Sequence, residues 1–193
     1  MPVDREAAER AVAELLRALG FDPKRADLAG TPARVVEAFA QDLLRGHQID
    51  IPRLIEEGAC DAPSGASDGP VAITEIAVVS MCPHHLLPAL GTANVVYLPG
   101  SMLLGIGTVA ALVDAFARRL TLQEEIAKNV VTALVDGAGA RAAYCELSLA
   151  HGCLRARGEQ QMNAFVRSSA RAGLYASPQA TPEIALALGR NAL

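Results

Sequence analysis

The sequence predicts an α+β fold, and three observations carry that expectation. Segments with helical and with alternating periodicity follow one another in the order helix, helix, strand, strand, helix, helix, strand, which is neither a βαβ alternation nor an all-β pattern. Hydrophobic residues make up 51% and charged residues 20% of 193 residues, enough apolar material for one core without disulfides. One stretch, residues 57–70, is rich in Gly, Pro, Ser and Asp and reads as a linker. It divides an N-terminal helical segment, 1–56, from a larger domain, 71–193.

Each element has its own signal. Residues 4–19 place Ala8, Val12, Leu15, Leu16 and Leu19 on one helical face, with Gly20 as a stop. Thr31-Pro32 combines a capping residue with proline at the first helical position, and Val35, Val36, Phe39, Leu43 and Leu44 follow. Beyond the linker, Val71–Val79 and Thr92–Leu98 read as strands around the turn-rich Cys82-Pro-His-His-Leu-Leu-Pro88. Val109, Leu112, Val113 and Phe116 mark one helix; Leu122, Ile126, Val130 and Leu134 mark a second, stopped by Gly137-Ala-Gly139. Residues 141–150 alternate with Cys145, Leu147 and Leu149 inward, and the same period puts His151 and Cys153 on one face. Thr181-Pro182 opens a last helix.

Charge narrows the function. The net charge is −4 and the pI about 5.6, which argues against a nucleic-acid binder. A local basic pocket for a small anion stays allowed; Lys24 and Lys128 are the only lysines, and the other basic residues are arginines. No run approaches the roughly 18 uncharged apolar residues of a membrane helix, and no signal peptide is legible at the N-terminus. A cytoplasmic protein with free or metal-bound thiols is the expectation.

Cys60, Cys82, Cys145 and Cys153 are the cysteines, and His84, His85 and His151 each lie within three residues of one of them. Thiolate and imidazole together select zinc. The two halves of this constellation, Cys82-Pro-His84-His85 and His151-Gly-Cys153, are too far apart for a zinc finger. Two metal readings stay open on chemistry alone: a closed Cys2His2 structural site, or three protein ligands with an open fourth position. Adjacent His84 and His85 point apart in extended chain, so the second reading leaves a histidine for acid–base work. Cys60 in the linker and Cys145 in mid-strand are not expected to be ligands.

The same residues resemble the GTP cyclohydrolase I family. The likeness runs from about residue 5 to residue 176: Thr31-Pro32-Ala-Arg34, then Cys82-Pro-His84-His85 with Pro88, Gly91 and Tyr97-Leu-Pro99, then Gln123-Glu124, then His151-Gly-Cys153 and Arg157-Gly158. The resemblance implies the tunnelling fold (T-fold), an antiparallel sheet with paired helices that pools with its neighbours into a toroidal homodecamer. It implies zinc on Cys82, His85 and Cys153, and water activated by that metal attacking C8 of a guanine nucleotide with loss of formate. His84 and His151 would be the proton donors and acceptors. Gln123 and Glu124 would hold the guanine, with Arg157 and Arg34 kept at positions that meet the substrate.

The sequence also departs from the family. Where the family has Gly-Leu-Ser-Lys and, three residues on, Arg, this chain has Gly105-Ile-Gly107-Thr108 and Ala111. Pro83 replaces a glutamate and Leu120 a proline. Losing two cations from a triphosphate site costs roughly 3–6 kcal/mol. Arg167 and Arg171 stand as candidate replacements. Three functional readings follow: a GTP cyclohydrolase with rebuilt phosphate contacts, a zinc cyclohydrolase for a less phosphorylated purine or another cyclic amidine that can stop at ring opening, or a purine- or pterin-binding protein without turnover.

Overall fold

The computed structural model describes residues 3–61 and 69–190. Helix α1 (Arg5–Ala18) is capped by Asp4, whose side chain accepts from the Ala7 N–H, and it ends where Gly20 takes φ +88°. None of its residues is buried, although its apolar stripe was the predicted packing face; Leu15 remains 58% exposed. Helix α2 (Thr31–Glu37) runs on into a π-helical turn over Ala38–Leu43. Its cap position is Gly30 rather than Thr31, and the Thr31 hydroxyl accepts from Arg34 instead.

Part of the stretch predicted as a linker is ordered structure. Helix α3 (Ile51–Gly58) takes its first two residues, and strand β1 (Ala59–Asp61) the next three. Strand β1 pairs antiparallel with β4 (Met102–Leu104), which supplies the partner that a local reading of the loop residues does not contain. Residues 62–68 of the predicted linker lie outside the described residues.

The main sheet has the order β2-β3-β5-β6, antiparallel throughout, from β2 (Val71–Met81), β3 (Pro88–Leu98), β5 (Ala142–His151) and β6 (Val166–Gly173). Helices α4 (Ile106–Ala117) and α5 (Gln123–Thr132) cover one face. Val109, Leu112, Val113, Ile126 and Val130 of these helices, with Leu134 of the π-helical turn that follows α5, are fully buried against Val95, Cys145, Leu147 and Leu149. Leu122, expected on that stripe, is exposed at the head of α5. A smaller core on the other face joins Val96, Leu98 and Tyr144 to Tyr175 and Ile184 of the C-terminal segment, which ends in α7 (Thr181–Ala187).

Strand β6 escaped the sequence reading. Its alternation is real, with Val166, Ser168, Ala170 and Ala172 half-buried and Arg167, Ser169 and Arg171 exposed, but small and polar residues carry it in place of branched apolar ones.

Connectivity gives the domain two ends. Met81 pairs with Pro88 across the turn that holds Cys82, and also bridges Leu120 just before α5. Helix α4 therefore starts beside β4 at the far end and returns to the Cys82 end, where α5 begins and β5 finishes.

Candidate active site

The turn between β2 and β3 is tight. Cys82 N–H donates to the Leu87 carbonyl at 3.0 Å, and Leu86 N–H donates to the Cys82 carbonyl at 2.9 Å. Closing it puts Leu86 at φ +51°, a conformation that costs a branched residue on the order of 1–3 kcal/mol. The result is that Cys82 Sγ lies 3.8 Å from His85 Nδ1 and 3.9 Å from His84 Nδ1.

The other half arrives on β5. The strand ends at His151, and a single helical turn, α6 (Gly152–Arg155), carries Cys153. The expected continuation of the strand period through Cys153 is thus replaced by a helical turn. Gly152 permits the approach: a Cβ there would stand 2.9 Å from the Pro88 carbonyl oxygen. Cys82, His85 and Cys153 come together with their ligand atoms all within 4.8 Å of one another.

That geometry fits a metal ion. Tetrahedral zinc with Zn–S of about 2.3 Å and Zn–N of about 2.0–2.1 Å sets an S···N edge of about 3.6 Å. The 3.8 Å between Cys82 and His85 lies close to that edge. Burial, together with the neighbouring Cys82, pushes the Cys153 thiol above the usual range. His151 is absent from this trio, and His84 stands beside it. Cys145 is fully buried in the core, where desolvation pushes its thiol up to about 12, and Cys60 sits on β1 with its thiol toward the Leu103 carbonyl.

Next to the trio, Gln123 and His151 form a fixed pair. Gln123, 5% exposed, donates from Nε2 to the carbonyls of Leu147 (3.3 Å) and Val166 (3.0 Å). With the amide NH2 committed to two carbonyls, Oε1 is an acceptor and meets His151 Nε2 at 2.7 Å. His151 must therefore carry its proton on Nε2 and present the Nδ1 lone pair. Burial lowers its pKa, with Glu124 opposing. The sequence grouped Gln123 with Glu124 for substrate binding; the geometry gives Gln123 the further task of orienting His151. The signal available for that task was only that the glutamine opens a helix pointing at the end of β5.

Cys82, His84, His85, Gln123, Glu124, His151 and Cys153 all border one cavity of about 240 Å³. Glu124 is exposed in the first turn of α5, where a carboxylate also suits the helix dipole. Arg157 reaches the site from the loop after α6, with Nη1 2.9 Å from His85 Nε2. Arg34 does not border the cavity; it stays on α2, folded over Gly30 and donating to Thr31. Arg167 and Arg171 do not border it either, because strand alternation sends them to the opposite face of the sheet from Val166, which does.

The altered segment lies at the far end. Gly105 caps α4, and Thr108 packs against the end of α3 so closely that a Cβ on Gly58 would meet its Oγ1 at 2.0 Å. Gly105 N–H donates to the Gly58 carbonyl at 2.9 Å.

Comparison with known proteins agrees with this architecture. A family profile described as GTP cyclohydrolase I matches residues 8–189. The chain belongs to the GTP cyclohydrolase I family. Among curated members, the GTP cyclohydrolase 1 of Leifsonia xyli subsp. xyli is 37% identical over 98% of this chain and 97% of its own length. That of Teredinibacter turnerae is 32% identical over 93% of this chain and 95% of its own length. Membership makes the chain a hydrolase acting on cyclic amidine C–N bonds, built on the T-fold that its antiparallel sheet and paired helices display. Among the described residues no helix is long and apolar enough to cross a membrane.

Proposed function

We propose that this protein is a zinc-dependent GTP cyclohydrolase that opens the guanine imidazole ring at C8 with loss of formate, giving dihydroneopterin triphosphate or a close variant. The observation that carries the reading is the convergence, on one cavity, of the Cys82–His85–Cys153 trio with the Gln123–His151 pair and Glu124. Bound to those three ligands, zinc would supply a Lewis acid that brings a water's pKa toward neutrality.

The protein's own groups do the rest. Glu124 accepts from guanine N1–H and the 2-amino group, a pairing that an adenine ring cannot offer. His151, held by Gln123, takes a proton at Nδ1 and returns it as the C–N bond breaks. His84, exposed beside the trio, serves as the second proton carrier. Arg157 is placed to meet an anionic part of the substrate once it turns from His85.

The reading includes a homo-oligomer, a decamer on the family's pattern. Strands β2 and β6 are the outer strands of the sheet and leave backbone edges free for a neighbour's strand. It also includes a reducing, cytoplasmic setting, in which paired thiols stay available to a metal. Formate release from GTP by the zinc-loaded protein tests the reading. Absence of formate, with metal bound at one ion per chain, would leave a binding protein in its place.

A further inference from the structure

The sheet face turned away from α4 and α5 carries a second cavity, of about 600 Å³. Its floor is an ordered grid set by strand register. Thr92, Ser148 and Arg167 lie opposite one another across β3, β5 and β6, and Asn94, Glu146 and Ser169 form the next row. The following row, Val96, Tyr144 and Arg171, belongs to the side that α7 covers.

The second row is internally satisfied. Glu146 accepts from Asn94 Nδ2 at 2.8 Å, from the Tyr144 hydroxyl at 2.7 Å, and from both terminal nitrogens of Arg190. The Asn94 Oδ1 in turn accepts from the Glu75 N–H at 2.8 Å. Arg171 donates to the Thr181 hydroxyl. The first row is different. Among the described residues, Thr92, Ser148 and Arg167 have no side-chain hydrogen bond, and Arg167 has no ion pair. Glu75, the other carboxylate on this cavity, stands on β2, three strand spacings or about 14 Å across the sheet from β6. The cavity thus pairs one uncompensated guanidinium with two adjacent hydroxyl donors.

We propose that this row is a second ligand site, separate from the catalytic cavity, which takes a phosphate-type oxyanion. Arg167 receives two of its oxygens in the parallel fork that guanidinium offers, and Ser148 and Thr92 donate to a third. The volume leaves room for more than a bare ion, so the same chemistry also fits the phosphate end of a small organic phosphate. The site backs directly onto the catalytic one. Leu149 and Val166, sequence neighbours of Ser148 and Arg167, border the metal cavity, and Gln123 is bonded to the Val166 carbonyl.

The test uses the full chain with Arg157→Ala, which removes the arginine nearest the catalytic cavity, and follows binding by calorimetry. Inorganic phosphate and ribose 5-phosphate are the two probes. Saturable binding of either is expected, with Arg167→Gln weakening it roughly tenfold or more and Ser148→Ala weakening it less. Arg167 is exposed, so thermal unfolding of Arg167→Gln should match that of its parent. Phosphate binding alone identifies a free ion as the ligand, and a clear preference for ribose 5-phosphate identifies an organic phosphate. Failure of both probes to bind, or affinity unchanged in Arg167→Gln, overturns the proposal.

Discussion

The two ends of the domain have been treated differently by the sequence. At the Cys82 end, the Cys82–His85–Cys153 group and the residues proposed as proton carriers and guanine contact, His84, His151 and Glu124, border one cavity. At the far end stand Gly107, Thr108 and Ala111, where the resemblance leads one to expect a serine, a lysine and an arginine, and Thr108 packs onto Gly58. The β1–β4 ribbon closes the same region. Bond-breaking groups tolerate little displacement, because a proton must be passed within hydrogen-bond reach. Phosphate contacts act as point charges or forks and can be exchanged for other contacts at a cost in affinity alone. On the proposed function, the contrast sets an end that keeps its reacting groups against one that lacks the expected phosphate contacts.

The largest expected effect is at the first end. Cys153→Ala should lose bound metal and formate release together, measured by metal analysis and a formate assay; full metal content in that variant would break the assignment of the trio. His151→Ala should keep its metal and lose about 10²–10⁴ in kcat. Gln123→Ala should cost about 10–100-fold, as supports of reacting groups do, with a shifted pH–rate profile that a purely structural role would not produce. The far end predicts a weaker dependence on phosphate. The ratio of kcat/KM for GTP to that for guanosine should stay below about 10³, since a larger ratio needs more than about 4 kcal/mol from phosphate contacts. A larger measured ratio would mean that other arginines have rebuilt the lost contacts. Gly58→Ala should lower stability by about 1–3 kcal/mol through its clash with Thr108, read as a drop in Tm.

The smallest effect tests the sheet's other face. Burial alone would raise the Glu146 pKa, but hydrogen bonds from Arg190, Asn94 and Tyr144 outweigh it and hold the carboxyl at about 2, against an ordinary 4.5. A depressed carboxyl stabilises the folded state above its unfolded pKa, and that contribution drains away as pH falls from about 4.5 toward 2. Glu146→Gln should flatten the acid limb of the stability curve in that window, measured by denaturant titration at successive pH values.

The convergence at the Cys82 end was legible because its residues are chemically distinctive. Few sequences place His-His and His-x-Cys beside cysteines by chance, although choosing three ligands over a closed Cys2His2 set needed the fold, which brings Cys82, His85 and Cys153 within reach of one ion. Helices α4 and α5 were legible for a different reason, their uninterrupted apolar spacing. Strand β6 was not, since Arg-Ser-Ser-Ala-Arg-Ala owes its extended form to pairing with β5 and carries little apolar signal of its own. The same holds for β1 and β4, each three residues long and dependent on the other. The cap at α2 was misplaced by one residue because Thr31 spends its hydroxyl on Arg34. The positions of Arg34 and Arg167 relative to the metal trio required the tertiary fold; strand parity decides which side of the sheet an arginine occupies, and the strand itself had been missed.

Gln123 has a consequence for how the protein fails. Its amide holds carbonyls on two neighbouring strands, and one of them, Val166, begins the outermost strand of the sheet. In a chain whose β6 edge has no neighbour, an outer strand opens by local fraying at free energies well below that of global unfolding. Each such opening withdraws the Val166 carbonyl, frees the amide to rotate, and releases His151 from its fixed tautomer. On the proposed mechanism, the competence of an unassembled chain is thereby tied to the breathing of β6, and a neighbour's strand along that edge would hold the tautomer: amide exchange in β6 should slow on assembly, and turnover should rise with it.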